Sequence, residues 1–307
     1  MFRRVSIFML AMSFVFSFTA SNVMANSFKW PWDKPGNSAR PGYDGGGIAS
    51  DGSLRGDGSE RSPYLIYSEA DLVKIGSGEY STGANYQLQN NVSLRRNWAP
   101  IPTFSGIFDG SGFTISNVRV SSNKSNDYVG LFYSSTGTIM ALGVEASSVS
   151  ANASNSSAGA IAGYNSGTIT NCYSVGKVSS QGYAAGGLVG ANVGVIRNCY
   201  SQADVNGGGG AFAGGIAGTV SERGSISTCY SAGRVRGGSG TGGIVGYAYG
   251  GRVQDCYYDS NRVGKVSNNE GAGLTSSEMR SERSFRGFDF RRAWTMGKNY
   301  PDLRVFS

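Results

Sequence analysis

Four short segments repeat one another: Gly159-Ala-Ile-Ala-Gly163, Gly186-Gly-Leu-Val-Gly190, Gly214-Gly-Ile-Ala-Gly218 and Gly242-Gly-Ile-Val-Gly246, with final glycines 27, 28 and 28 residues apart. Each leads to a second block ending in Cys-Tyr, from Gly167-Thr-Ile-Thr-Asn-Cys-Tyr-Ser174 to Gly251-Arg-Val-Gln-Asp-Cys-Tyr-Tyr258. Val178, Val205 and Val235 mark a third block, and an imperfect earlier copy begins at Gly130 and runs through Gly137-Thr-Ile139. The apolar runs are too short for helices and are bounded by Gly, Asn and Ser, so each unit reads as three short strands with tight corners. So thin a unit cannot bury its own apolar face; stacked units can, each strand pairing with its equivalent above and below at ~4.8 Å. The expected fold is all-β, a right-handed parallel β-helix, because parallel crossovers are right-handed in nearly all cases.

The first residues read differently. Arg3 and Arg4 precede an apolar run from Ile7 to Ala20, and Val23-Met24-Ala25 suits a cut after Ala25. That order predicts a secretory signal over residues 1–25 and an extracellular, cell-surface or periplasmic protein. The run is shorter than a membrane-spanning helix needs, and no later segment is apolar enough. Loss of Arg3 and Arg4 lowers the formal net charge from +7 to +5, too little and too scattered for a nucleic-acid partner. Residues 26–60, with Trp30-Pro-Trp32, Pro35, Pro41 and many glycines, read as a flexible arm.

The pattern G-G-[LI]-[VA]-G followed by G-x-[IV]-x-[ND]-C-Y resembles the GLUG repeat of bacterial secreted and surface proteins. Gly56-Asp-Gly-Ser-Glu-Arg-Ser-Pro-Tyr-Leu-Ile66, the pair of strands from Phe104 to Ile115, and the stretch Phe285–Phe290 with Trp294, Tyr300 and Pro301 are similar to the segments that flank such repeats. The resemblance spans about residues 56–307. It implies an adhesin-like solenoid, a repeat also found beside the catalytic part of IgA-cleaving metallopeptidases, and it brings no catalytic motif. The organisation expected is a β segment and cap over 61–129, repeats over 130–260 and a C-terminal cap over 261–307.

Short helical segments are expected to close both ends. Ser68-Glu-Ala-Asp71 fits a capping box before Leu72, Val73 and Ile75, and Thr275-Ser-Ser-Glu278 repeats it before Met279. Phe285, Phe288, Phe290 and Trp294 would add apolar cover, with Arg280, Arg283, Arg286, Arg291 and Arg292 as a solvated basic face. Arg55-Gly56-Asp57 is an integrin-type tripeptide inside the lead-in motif, and Asn91, Asn123, Asn152 and Asn155 head Asn-x-Ser sequons.

Histidine is absent from all 307 residues, which removes His-based triads, Cys-His pairs and HExxH zinc sites. Asp204 and Asp255, with only Glu222 and Asp259 near them in sequence, are a thin basis for polysaccharide chemistry. A non-catalytic binding protein is therefore expected, without cofactor or metal, and with a cell-surface or matrix glycan or protein as partner. A polysaccharide-active enzyme and a purely structural envelope component are the alternatives. Cys172, Cys199, Cys229 and Cys256 fall at equivalent places and read as a buried thiol ladder or, alternatively, as bridges Cys172–Cys199 and Cys229–Cys256. Tyr173, Tyr200, Tyr230 and Tyr257 follow them and point to the opposite face, as a rigidifying stack or a candidate binding surface. Any specificity is expected on that tyrosine face, in the loops after Val178, Val205 and Val235, or in the basic cap.

Overall fold

The computed structural model describes residues 52–307 except Gly209, Ser239 and Asn269, so the expected signal segment and nearly all of the arm lie outside the described residues. What it describes is an all-β parallel solenoid of about five turns with a few short helices. Tyr128–Val129, Ser157–Gly159, Ala184–Gly186, Phe212–Gly214 and Thr241–Gly242 form one five-stranded parallel sheet. Phe132–Ser135, Ala162–Asn165, Val189–Asn192, Ala217–Ser221 and Val245–Tyr249 form a second. A larger third sheet carries the remaining strands of every turn.

One ladder shows how strictly the coils repeat. Ile139, Ile169, Ile196, Ile226 and Val253 pair in register from turn to turn. The same ladder continues towards the N-terminus through Phe108, Tyr86 and Tyr64. Residues 64–122 thus extend the sheet on which the repeats stack. Rings replace aliphatic groups there: Phe104, Phe108 and Phe132 pack with centroids 5.3–6.2 Å apart, all fully buried. Within the repeats the interior is aliphatic, with Leu131, Ile161, Leu188, Ile216 and Ile244 wholly buried. Each such side chain contributes about 1.5–3 kcal/mol by leaving water.

The corners decide where each coil turns. Ala141, Asn171, Asn198, Thr228 and Asp255 occupy one position in successive turns, and all five have φ between 49° and 53°. Asn and Asp tolerate this left-handed conformation because their short polar side chains satisfy nearby backbone. Thr228 does not share that tolerance; its hydroxyl instead binds Asn198 Oδ1 at 2.6 Å. A second corner depends on a glycine: a Cβ on Gly214 would lie 1.9 Å from the Ala217 carbonyl oxygen. A third uses buried asparagine, Asn165 Nδ2 donating to Asn192 Oδ1 at 2.8 Å in the next turn.

The flanking segments match expectation at Thr275 and Glu278, each of whose side chains accepts from the other's backbone amide as in a capping box, and depart from it elsewhere. Ser68 stands at the N-cap of helix Glu69–Leu72, but its side chain accepts from none of the helix amides; its hydroxyl donates to Asp71 Oδ2 at 3.0 Å, which also accepts from the Tyr67 amide. Leu72 and Ile75 are buried in the core, whereas Val73 is 59% exposed. At the other end, the stretch that meets the last turn is Ser260–Leu274. Ala272–Leu274 pairs with Tyr257–Asp259, Asn268 Nδ2 donates to the Val245 and Gly246 carbonyls, and Val263 is buried beside Val235. The aromatic stretch 279–306 runs instead along the flank of the stack, where it packs on the tyrosines described below.

Relief of the misfit corner should be measurable. Thr228→Asn is expected to raise stability by about 1 kcal/mol in denaturant melts. Gly214→Ala should lower it by about 1–3 kcal/mol, because the added methyl meets backbone that cannot move without shifting the next turn.

Candidate functional site

Strand alternation places the cysteines inside and the tyrosines outside. Tyr173, Tyr200 and Tyr230 stack with centroids 5.1 and 5.0 Å apart and ring planes within 7°. Tyr257 follows in register. The stack is not open to a partner, however. The segment 279–306 folds back over it with Met279, Phe285, Phe288, Trp294 and Leu303, leaving Tyr200, Tyr230 and Tyr257 at 6%, 0% and 8% exposure. Even half-buried Tyr173 carries Phe306 edge-on at 4.8 Å. The hydroxyls are spoken for as well: Tyr230 donates to the Pro301 carbonyl at 2.6 Å and Tyr257 to that of Arg286 at 3.1 Å. Tyr173 shares a hydrogen bond of 3.0 Å with Thr114 Oγ1. Burial pushes all four phenols above their ordinary range. The candidate binding face, Tyr173, Tyr200, Tyr230 and Tyr257, is therefore a second hydrophobic core, because an aromatic-rich closing segment packs over it.

The four cysteines are free and buried. Each thiol donates to the carbonyl two residues before it, at 3.1–3.2 Å, and lies 3.6–3.9 Å from the carbonyl of the isoleucine one turn below. Desolvation, then the neighbouring sulfurs, push the Cys172 and Cys229 thiols up. This is the thiol ladder, held by backbone acceptors.

Acidic groups are dispersed. Asp204 pairs loosely with Arg234 at 3.6 Å, both largely exposed, and Asp255 serves a corner. Asp259 is fully buried and accepts from Ser276 Oγ, the Tyr300 hydroxyl and the Asn261 amide. Among the described residues, no three His, Cys, Asp or Glu side chains converge as a metal site. A hollow of about 330 Å³ is lined by Arg262, Ser276, Arg280, Asn299 and Tyr300. Arg280, Arg283, Arg286, Arg291 and Arg292 are all exposed, as expected of a solvated face. Arg55-Gly56-Asp57 lies in a structured turn: the Arg55 carbonyl accepts from the Leu65 amide, and Asp57 accepts from the Ser59 amide.

A different aromatic set stands on the outside of the two five-stranded sheets. Tyr128 packs on Tyr164 at 5.1 Å and on Tyr133 at 5.4 Å. Tyr183 meets Phe212 edge-on at 5.7 Å, and Phe212 continues to Tyr247 at 5.0 Å. Tyr247 and Tyr249 are 45% and 42% exposed. Between the two groups a groove of about 280 Å³ is lined by Tyr128, Asn155, Ser157, Tyr183 and Ala191. No ladder in the repeats announces this stripe, since Tyr164 is in register with Ala191 and Thr219, and Phe212 with Ala184 and Ser157. The available signal was the irregularity itself: rings at positions that other coils fill with small residues. Two of them, Tyr183 and Phe212, end the loops after Val178 and Val205.

Three measurements follow from this geometry. Thiol titration should find four free cysteines per chain in denaturant and almost none reactive in the native protein. Tyr230→Phe should cost about 1–3 kcal/mol, because it leaves the Pro301 carbonyl buried without its donor. Asp302 is held above its ordinary carboxylate value of 3.8, chiefly by desolvation. Its contribution to stability is thus fullest below that value and is lost as pH rises through the raised one. Asp302→Asn should melt higher than the parent at neutral pH, with the gap closing in acid.

Comparison with known proteins agrees with the coil. Residues 181–206 match the GLUG motif. Halomucin of Haloquadratum walsbyi is 30% identical over 156 residues, 44% of this chain, and that segment spans 2% of halomucin. The crystal structure of a candidate immunoglobulin A1 protease from Bacteroides ovatus superposes with a TM-score of 0.67. It is 23% identical, over 83% of this chain and 96% of that one, a likeness of fold. The chain carries the GLUG motif, set as one turn of a parallel β-solenoid.

Proposed function

We propose that this chain is a secreted, adhesin-like, non-catalytic binding protein of the cell surface or extracellular space. The observation that carries the reading is the partly exposed aromatic stripe, displayed across successive turns of a stiff scaffold. Three further features support it: the GLUG motif, a relative named as a mucin, and acidic side chains dispersed rather than gathered. No helix among the described residues is long and apolar enough to cross a membrane. In this reading the coils wind right-handed, and the short helical turns at Glu69–Leu72 and Ser260–Val263 shield the two ends from edge pairing.

The reading is tested by fractionating cells that express the full chain and by applying the purified protein to an array of glycans and matrix proteins. Recovery outside the cytoplasm, shortened by the first 25 residues, and retention on the array without consumption of the ligand are expected. Cytoplasmic retention, turnover of a polysaccharide, or no retention at all overturns it.

A further inference from the structure

The groove between the two aromatic groups has the make-up of a site for one uncharged ring. Its walls are Tyr128 and Tyr183. The strand Tyr128–Val129 pairs with Ser157–Gly159, which pairs in turn with Ala184–Gly186, the strand that Tyr183 precedes. The walls are thus anchored two coil spacings apart, roughly 10 Å. A ring that touches a wall on each side needs ~7–8 Å. Both walls pack against further rings, Tyr128 on Tyr164 and Tyr133, Tyr183 on Phe212. Ala191, set between larger residues, leaves the floor open.

The polar groups of the groove point to the chemistry of the ligand. None of the five lining side chains carries a charge at neutral pH. Asn155 supplies an amide. Ser157, wholly buried, has a hydroxyl with no hydrogen-bond partner, a state that costs about 1–3 kcal/mol unless something satisfies it. A ligand with apolar faces and hydroxyls on its rim would satisfy walls and floor together, and a sugar ring has both. Aromatic rings recur towards Tyr247 and Tyr249 along the same flank, so a chain of sugars running along the stack would meet further rings.

We infer that the Tyr128–Tyr183 groove is a binding site for an uncharged glycan, one sugar ring seated between the two tyrosines and hydrogen-bonded to Ser157 and Asn155. This deepens the binding role proposed above and rests on it. The probes are hexasaccharides of glucose, mannose, galactose and N-acetylglucosamine, with polygalacturonate as the acidic counter-probe, titrated calorimetrically against the full chain. At least one neutral probe should bind, with little dependence on salt. Tyr128→Ala and Tyr183→Ala should each weaken it about tenfold. Ala191→Trp, which fills the groove while leaving both walls, should abolish binding. Ser157→Ala should weaken binding without lowering the melting temperature, since that hydroxyl has no partner to lose; a purely structural serine would not behave so. Melting curves identify any variant that fails to fold, and Ala191→Trp and Ser157→Ala then decide alone.

Unchanged affinity in Ala191→Trp and Ser157→Ala overturns the site. So does binding confined to polygalacturonate and lost in Arg262→Gln or Arg280→Gln, or a groove that captures only a matrix protein. In each of these cases the chain still binds something, and the broader reading survives. If the wild-type chain binds no glycan, protein or cell, both fail together.

Discussion

Backbone pairing in parallel and in register, at one fixed spacing, is the constraint from which the other features of this molecule follow. Because each strand must lie directly on its equivalent, whatever residue occupies a place in one coil meets the occupant of the same place in the next. Isoleucines therefore meet isoleucines, thiols meet thiols and phenol rings stack nearly parallel. The same rule fixes the backbone: once one corner takes a left-handed conformation, every corner above it must do so, including the one at which threonine stands. Sequence similarity between the units is the record of that demand.

What the repeats impose was legible in the sequence. The coil length, the inward cysteines, the outward tyrosines and the Asx-type corners all follow from spacing and strand alternation. What the repeats do not impose was harder to read. Burial of the tyrosine stack depends on where a non-repeating segment settles, and no periodicity in residues 279–306 says whether they close the end of a stack or lie along its side. Their aromatic content says only that they need apolar surface. The flank offered four tyrosine rings in register, three of them stacked, whereas the last turn was already met by Asn268 and the strand Ala272–Leu274. The stripe from Tyr128 to Tyr249 carries no periodic signal for the opposite reason, since it is built from departures from the repeat.

The two aromatic faces illustrate how one residue type serves two ends. On the covered face, tyrosines form a continuous column whose hydroxyls bond the Pro301 and Arg286 carbonyls and the Thr114 and Asp302 side chains, and the desolvated carboxyl of Asp302 is carried along at a cost. On the open face, the column is interrupted by alanine and serine, so the rings bound a gap instead of filling it. Regular occupancy yields core; interrupted occupancy yields a cleft with walls already in place.

A stack in which each coil touches only its neighbours behaves as a one-dimensional array, free to fray from either end. The returning C-terminal segment changes that. It touches Tyr257, Tyr230, Tyr200 and Tyr173 in turn, and a Cβ on Gly112 would meet the Val305 carbonyl at 2.1 Å. Layers far apart along the axis thereby share one set of contacts, some linking residues 102 positions apart in the chain. Such a segment docks only after the coils beneath it exist, and once docked it turns a ladder of separable rungs into a single cooperative unit.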